Sequence, residues 1–184
     1  MRRFRVPILG TTVMMHGRDE SALIFEPELR GRLLRGDNGP RTFGMFGRLV
    51  PRELELGVLS RKVVTDAGVA FMVDDWYDGS KDITNFNAHG NGTGTTAEAV
   101  GQTALVTETG TRAAGTKSKP TAPQIRSVAT ISQTGTAAIT EHGLFDSTTV
   151  SGSTMWDRSV FSAINVVNGD SIQFTYTLTI SSGG

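Results

Sequence analysis

From Asp170 to Ile180 the chain alternates without a break. Ile172, Phe174, Tyr176, Leu178 and Ile180 fall on one side, and Ser171, Gln173, Thr175, Thr177 and Thr179 on the other. Successive side chains of a strand point to opposite faces, so this stretch predicts an antiparallel strand with one face buried and one wet. It lies next to the C-terminus, followed only by Ser181-Ser182-Gly183-Gly184. The fold is therefore expected to be a β-structure that closes with its tail. The polar face is Thr and Ser, with no catalytic grouping on it.

From Val63 onward the sequence has the same texture. Short β-like segments are expected at Val63–Thr65 with Val69–Val73, Ile83–His89, Ala104–Thr109, Ile125–Gln133, Ala137–Glu141, Val160–Val166 and Ile172–Ile180. Turn signals separate them, among them Tyr77-Asp78-Gly79, Thr134-Gly135 and Ser151-Gly152. Asn168-Gly169 between two apolar runs predicts a hairpin that pairs Val160–Val166 with the last strand. Residues 95–100 suggest one helical turn, and residues 111–122 an exposed excursion with Lys117 and Lys119 at its tip. Seven or eight short strands so spaced read as an all-β fold, an antiparallel sandwich of jelly-roll-like character.

Residues 1–62 read differently. Eight glycines and four prolines interrupt them, and at most one short or split helix is expected, around Glu20–Leu34. Yet Phe4, Val6, Ile8, Phe25, Phe43, Phe46 and their neighbours make the segment too apolar for a free tail. Charge divides at the same place. Residues 1–62 hold twelve Lys/Arg and seven Asp/Glu, net +5; residues 63–184 hold six and eleven, net −5. The expectation is an extended basic arm, 1–62, on an acidic β-sandwich, 63–184, with the arm reaching a partner. The arm residues chosen as partner contacts are Arg2, Arg3, Arg5, Arg30, Arg32, Arg35, Phe43 and Phe46. Their arginines are dispersed, which favours protein over direct DNA contact. On this division, deleting residues 1–62 should leave a folded domain that no longer assembles.

No motif predicts catalysis, a cofactor or a metal. The chain has no Cys, which excludes disulfides, thiolate metal sites and Cys nucleophiles. His89-Gly90-Asn91-Gly92-Thr93-Gly94 lacks the Gly-Lys-Ser/Thr ending of a phosphate loop and reads as a tight turn needing positive φ. His16, His89 and His142 have no ligand spacing, and Asp74-Asp75 and Glu141-His142 have no geometry that defines an acid/base pair. Trp76, Tyr77 and Trp156 are candidates for an interface, for glycan stacking, or for the core. No 18-residue apolar run is present, so no membrane partner is expected, and the basic start Met1–Arg5 lacks the apolar stretch of a signal peptide.

Three stretches carry a resemblance. They are Ile139-Thr140-Glu141-His142-Gly143-Leu144-Phe145-Asp146, Trp156-Asp157-Arg158-Ser159-Val160-Phe161 with Ala163-Ile164-Asn165-Val166, and Gly169-Asp170-Ser171-Ile172-Gln173-Phe174-Thr175-Tyr176. Upstream, Gly92–Glu98, Thr103–Glu108 and Arg112 fit the same pattern. Residues 64–184 resemble a β-domain found among structural proteins of tailed bacteriophages, with wording shared by tail-fibre and collar domains. The resemblance implies a non-enzymatic virion protein without cofactor. The expected role is capsid decoration (cement), with the phage major capsid protein and copies of itself, as a homotrimer, for partners. It implies a place on the capsid surface, with tail or neck as the alternative. It also pairs Glu141 with Arg158 as a buried or interface ion pair, sets Phe145 and Phe161 in the core and caps the last turn with Asp170. Rival expectations are a tail-side part, a receptor- or glycan-binding module, and a hydrolase using Asp74, Asp75 or Glu141.

Overall fold

The computed structural model describes residues 23–36, 53–61 and 63–182. Nine strands lie among them: β1 (Leu23–Leu34), β2 (Glu53–Ser60), β3 (Ala88–Gly92), β4 (Glu108–Ala114), β5 (Thr116–Ser118), β6 (Gln124–Ser132), β7 (Ala137–Phe145), β8 (Met155–Val166) and β9 (Ser171–Ser182). One α-helix, α1 (Asp66–Asp78), and a 3-10 turn, Ile83–Asn85, precede β3. Two antiparallel sheets pack face to face, one ordered β2-β1-β9-β6-β5 and the other β4-β3-β7-β8. The all-β sandwich expected from the alternation is the fold.

The alternation in β9 does what it predicts. Ile172, Phe174, Tyr176 and Leu178 are buried between the sheets, while Thr175, Thr177 and Thr179 lie on the outer face. They meet Leu29 and Leu33 of β1, Ile131 of β6 and Ile139, Leu144, Ile164 and Val166 of the facing sheet in one core. Phe145 instead joins Ala88, Leu105 and Met155 in a second cluster, and Phe161 is partly buried against the main one.

Six expectations are corrected. The segment around Glu20–Leu34 is no helix where it is described: it is β1, paired with β9 along its whole length. Leu29 and Leu33 point inward and Glu26 and Arg30 outward, a period of two that outweighs the leucine content. Pro27 fits because, among the described residues, β2 pairs with Leu29–Leu34 and nothing pairs with that edge of β1 at the proline, so no N–H is needed there. With β1 and β2 inside a sheet, residues 23–34 and 53–60 belong to the sandwich, and the arm-and-body boundary at 62 does not hold for them. Leu29 and Leu33 are in the core of their own chain, with Phe25, Leu56 and Leu59 packed against it.

The helix α1 replaces two expected strands. Thr65 caps it, its hydroxyl accepting from the Gly68 N–H at 3.0 Å, and Gly79 ends it at φ 66°. Residues 93–107 form an irregular segment with no helical turn. The strand expected at Ala104–Thr109 starts later, at Glu108, because the Val106 and Thr107 N–H groups bond a carboxylate instead of a ladder.

The expected β8–β9 hairpin does not form. The turn at Asn168-Gly169, with φ 89° at Gly169, crosses from one sheet to the other. Both edges of β9 are already taken, by β1 and β6. Asp170 does cap this turn: its carboxylate accepts from the Val167 N–H at 3.0 Å, the Gly36 N–H at 3.0 Å and the Arg35 guanidinium at 2.6 Å. Burial alone would raise the Asp170 carboxyl, but these N–H donors and Arg35 hold it below the ordinary range.

Candidate functional site

Five of the residues that carry the phage-like wording, Gly94, Arg112, Glu141, Phe145 and Arg158, meet on the outer side of the β4-β3-β7-β8 sheet. Adjacent positions of β7 point to opposite faces, so Glu141 and Phe145 face outward and His142 and Leu144 inward. Glu141 is fully buried under residues 93–107. Its carboxylate accepts from the N–H groups of Gly94 (2.9 Å), Val106 (3.1 Å) and Thr107 (2.7 Å), and from Arg158 through Nε at 2.9 Å and Nη2 at 2.8 Å. The other arm of Arg158 donates to the Thr96 carbonyl at 2.9 Å and to Gln102 at 3.0 Å. This is the buried ion pair that the resemblance implied. It clamps an irregular loop onto a sheet. Burial pushes the Glu141 carboxyl up, but the Thr107, Val106 and Gly94 N–H groups and the Arg158 guanidinium bring it below its usual value. Glycine at 92 and 94 permits the close approach: a Cβ at Gly92 would strike the Thr107 carbonyl oxygen, and one at Gly94 the Glu141 carboxylate. Neither glycine has positive φ, so close approach, not a special turn, is what these glycines serve. Arg112 makes a second clamp, forked onto Glu108 at 2.6 and 3.0 Å and stacked 3.4 Å from the Phe145 ring centre.

The inward face of the same sheet carries a polar line. His89 Nδ1 and His142 Nε2 are 2.9 Å apart, and His89 Nε2 is 2.8 Å from the Ser127 hydroxyl of the opposite sheet. The sequence separation of 53 residues hid this pairing, which the ladder makes by setting Asn91 opposite His142. Both rings are neutral. Burial drives His89 down to about 3, and burial with the neighbouring His89 drives His142 well below its ordinary value. A neutral imidazole has one donor and one acceptor. With protons on His142 Nε2 and His89 Nε2, the atom left without a partner is a lone pair on His142 Nδ1. The reverse tautomers leave a buried N–H, the costlier orphan. Beside them, Asp157 is fully buried with Oδ2 unpartnered. Burial holds its carboxyl well above the usual range, against the Ser159 hydroxyl bond, and Glu98 adds to the rise.

A stability experiment follows from these signs. As pH falls below 6.5 the unfolded histidines gain protons and the native ones do not, so His89 and His142 each remove about 1.4 kcal/mol per pH unit. For His89 this continues down to about 3. Asp157 acts oppositely: above 3.8 the unfolded carboxyl is ionised and the native one is not, so its penalty grows with pH. Asp157→Asn is therefore expected to be more stable than the native chain at pH 7 and to lose stability more steeply on acidification. Urea unfolding at pH 7, 6 and 5 measures both. A less stable Asp157→Asn at pH 7 would mean that the native carboxyl is ionised.

The aromatics chosen from sequence separate. Trp156 is a core residue, 3% exposed, with its indole N–H donated to the Tyr176 hydroxyl at 2.9 Å. Its large ring is the best filler between the sheets and its one donor is satisfied there, so it is corrected from interface to core. Trp76 and Tyr77 stand at the end of α1, 88% and 85% exposed. Of the arm residues, Arg30 pairs with Glu28 at 2.6 Å, Arg32 with Glu53 and Glu55, and Arg35 with Asp170. All three are engaged on their own chain. Arg2, Arg3, Arg5, Phe43 and Phe46 lie outside the described residues. Among the described residues no group of three or more His, Asp or Glu side chains is placed to hold a metal ion. Neither the family models, the curated proteins nor the solved structures contain a match to this chain. The geometry therefore stands alone: a sealed polar interior that braces the fold, and an exposed aromatic pair on a helix.

Proposed function

We propose that this chain is a non-enzymatic structural protein of a tailed-bacteriophage virion, acting as a capsid decoration protein that binds the major capsid protein lattice as a homotrimer. One observation carries the reading. The residues that resemble the phage β-domain, Glu141, Arg158, Arg112, Phe145 and Gly94 among them, all serve internal bonding of the sandwich. They are a scaffold's residues, and a chain sharing them shares the scaffold. Repetition on a lattice would let weak contacts per copy add through effective concentration.

Copy number tests this directly. Quantitative mass spectrometry of purified virions should find the chain near stoichiometric with the major capsid protein. A few copies per particle would move it to the neck or tail, and absence from particles would overturn the virion reading. The exposure of Trp76 and Tyr77 favours one further reading, a glycan-binding module, since exposed aromatic faces stack on sugar rings. Binding on a glycan array that disappears in Trp76→Ala would support it.

A further inference from the structure

The helix α1 is apolar on the wrong side for a helix that only covers a core. Gly68 and Phe71 face inward. Val69, Val73, Trp76 and Tyr77 follow at helical spacing on the opposite face, all exposed. Negative charge gathers beside that face, around the helix and the turn that follows it. Residues 66–85 hold five Asp and one Lys. Three of the Asp, at 74, 75 and 78, crowd the C-terminal end of α1, where the helix dipole is negative and no basic side chain stands in the last turn. One cation stands close, Lys81, beside Asp78 and over the inward Phe71 ring, so the carboxylates still outnumber it, and the exposed indole and phenol offer ring faces to a further one. The same carboxylates repel a second α1, a nucleic-acid backbone and an anionic lipid surface.

We propose that this face is the docking site for the chain's own first residues, 1–9, which lie outside the described residues. That segment has the complementary chemistry: Arg2, Arg3 and Arg5 interleaved with Phe4, Val6 and Ile8. It also has the reach. The start of β1 is already on the α1 side of the molecule, because ring-to-ring steps of 6.3, 5.3 and 4.7 Å lead from Phe25 through Trp156 and Phe86 to Phe71 of α1. The residues between 9 and 23 span roughly 40 Å when extended. The inference is independent of the virion reading.

Trp76 reports on it, since the only other tryptophan, Trp156, is buried. Acrylamide quenching of the full chain is compared with a chain lacking residues 1–9 and with Arg2→Glu/Arg3→Glu/Arg5→Glu, each corrected with its Trp76→Phe counterpart. Covering one ring face halves collisional access, so the quenching slope of Trp76 is expected to rise roughly twofold in both variants, with unchanged circular dichroism. An equal slope in all three chains overturns the proposal. Protection that fades on dilution, in step with a falling mass by light scattering, also overturns it and gives the face to another copy.

Discussion

A chain that begins at Val63 is expected not to fold. The loss would include all of β1, which pairs residue for residue with β9 from Leu23 opposite Ser182 to Leu34 opposite Ser171. Without it β9 becomes an edge strand, and Phe174 and Tyr176 lose the cover of Leu29 and Leu33. Burial of two leucines alone is worth about 3–6 kcal/mol, a large share of the roughly 5–15 kcal/mol that holds a domain together. The salt bridge from Arg35 to Asp170, which steadies the turn into β9, goes as well. The expected product is insoluble or lacks a cooperative urea transition. A chain beginning at Leu23 keeps every described strand and is expected to fold. If the chain from Val63 unfolds cooperatively with a near-native midpoint, β1 is an accessory, and the arm-and-body division read from the sequence is restored.

That division shows where sequence reasoning stops. β9 was legible because its periodicity is unbroken and its two faces differ in kind. β1 has the same period, but Pro27, Gly31 and adjacent Leu33-Leu34 blur it, and a net charge of +5 over residues 1–62 suggested a partner elsewhere. What settles β1 is the edge of β9 that it fills, a tertiary fact. The hairpin at Asn168-Gly169 fails for the same reason: the turn chemistry is correct, but the edge that β8 would need is occupied. The helix α1 was legible in hindsight through Thr65 and Gly79 at its ends, signals that valines at 69 and 73 obscured. In the candidate site, the pairing of Glu141 with Arg158 followed from a resemblance. The approach of His89 to His142 had no local signal, because inter-strand register is set by the whole sheet.

The largest effect of a single substitution is expected at Glu141. Glu141→Gln leaves the Arg158 guanidinium, 1% exposed, with neutral acceptors, the Thr96 and Ala97 carbonyls and Gln102. It also turns an amide N–H₂ or a single carbonyl oxygen toward three backbone donors that had shared two carboxylate oxygens. Breaking a buried pair from one side costs about 3–5 kcal/mol, and both problems place this variant at the upper end. Arg158→Met belongs at the lower end, because the carboxylate keeps its three N–H donors. Urea denaturation measures the order, and hydrogen exchange localises it: Gly94, Val106 and Thr107 amides should lose protection in Glu141→Gln and retain most of it in Arg158→Met. An Arg158→Met variant as unstable as Glu141→Gln would mean that the ion pair, not the N–H cradle, holds residues 93–107. The pH dependence separates the two further. Glu141 has its native carboxyl below the ordinary 4.5, so its contribution is complete above that value and is lost as pH falls through the native pKa. The stability gap between the native chain and Glu141→Gln should therefore be constant near neutrality and close only below pH 4.5, where the native side chain becomes uncharged too.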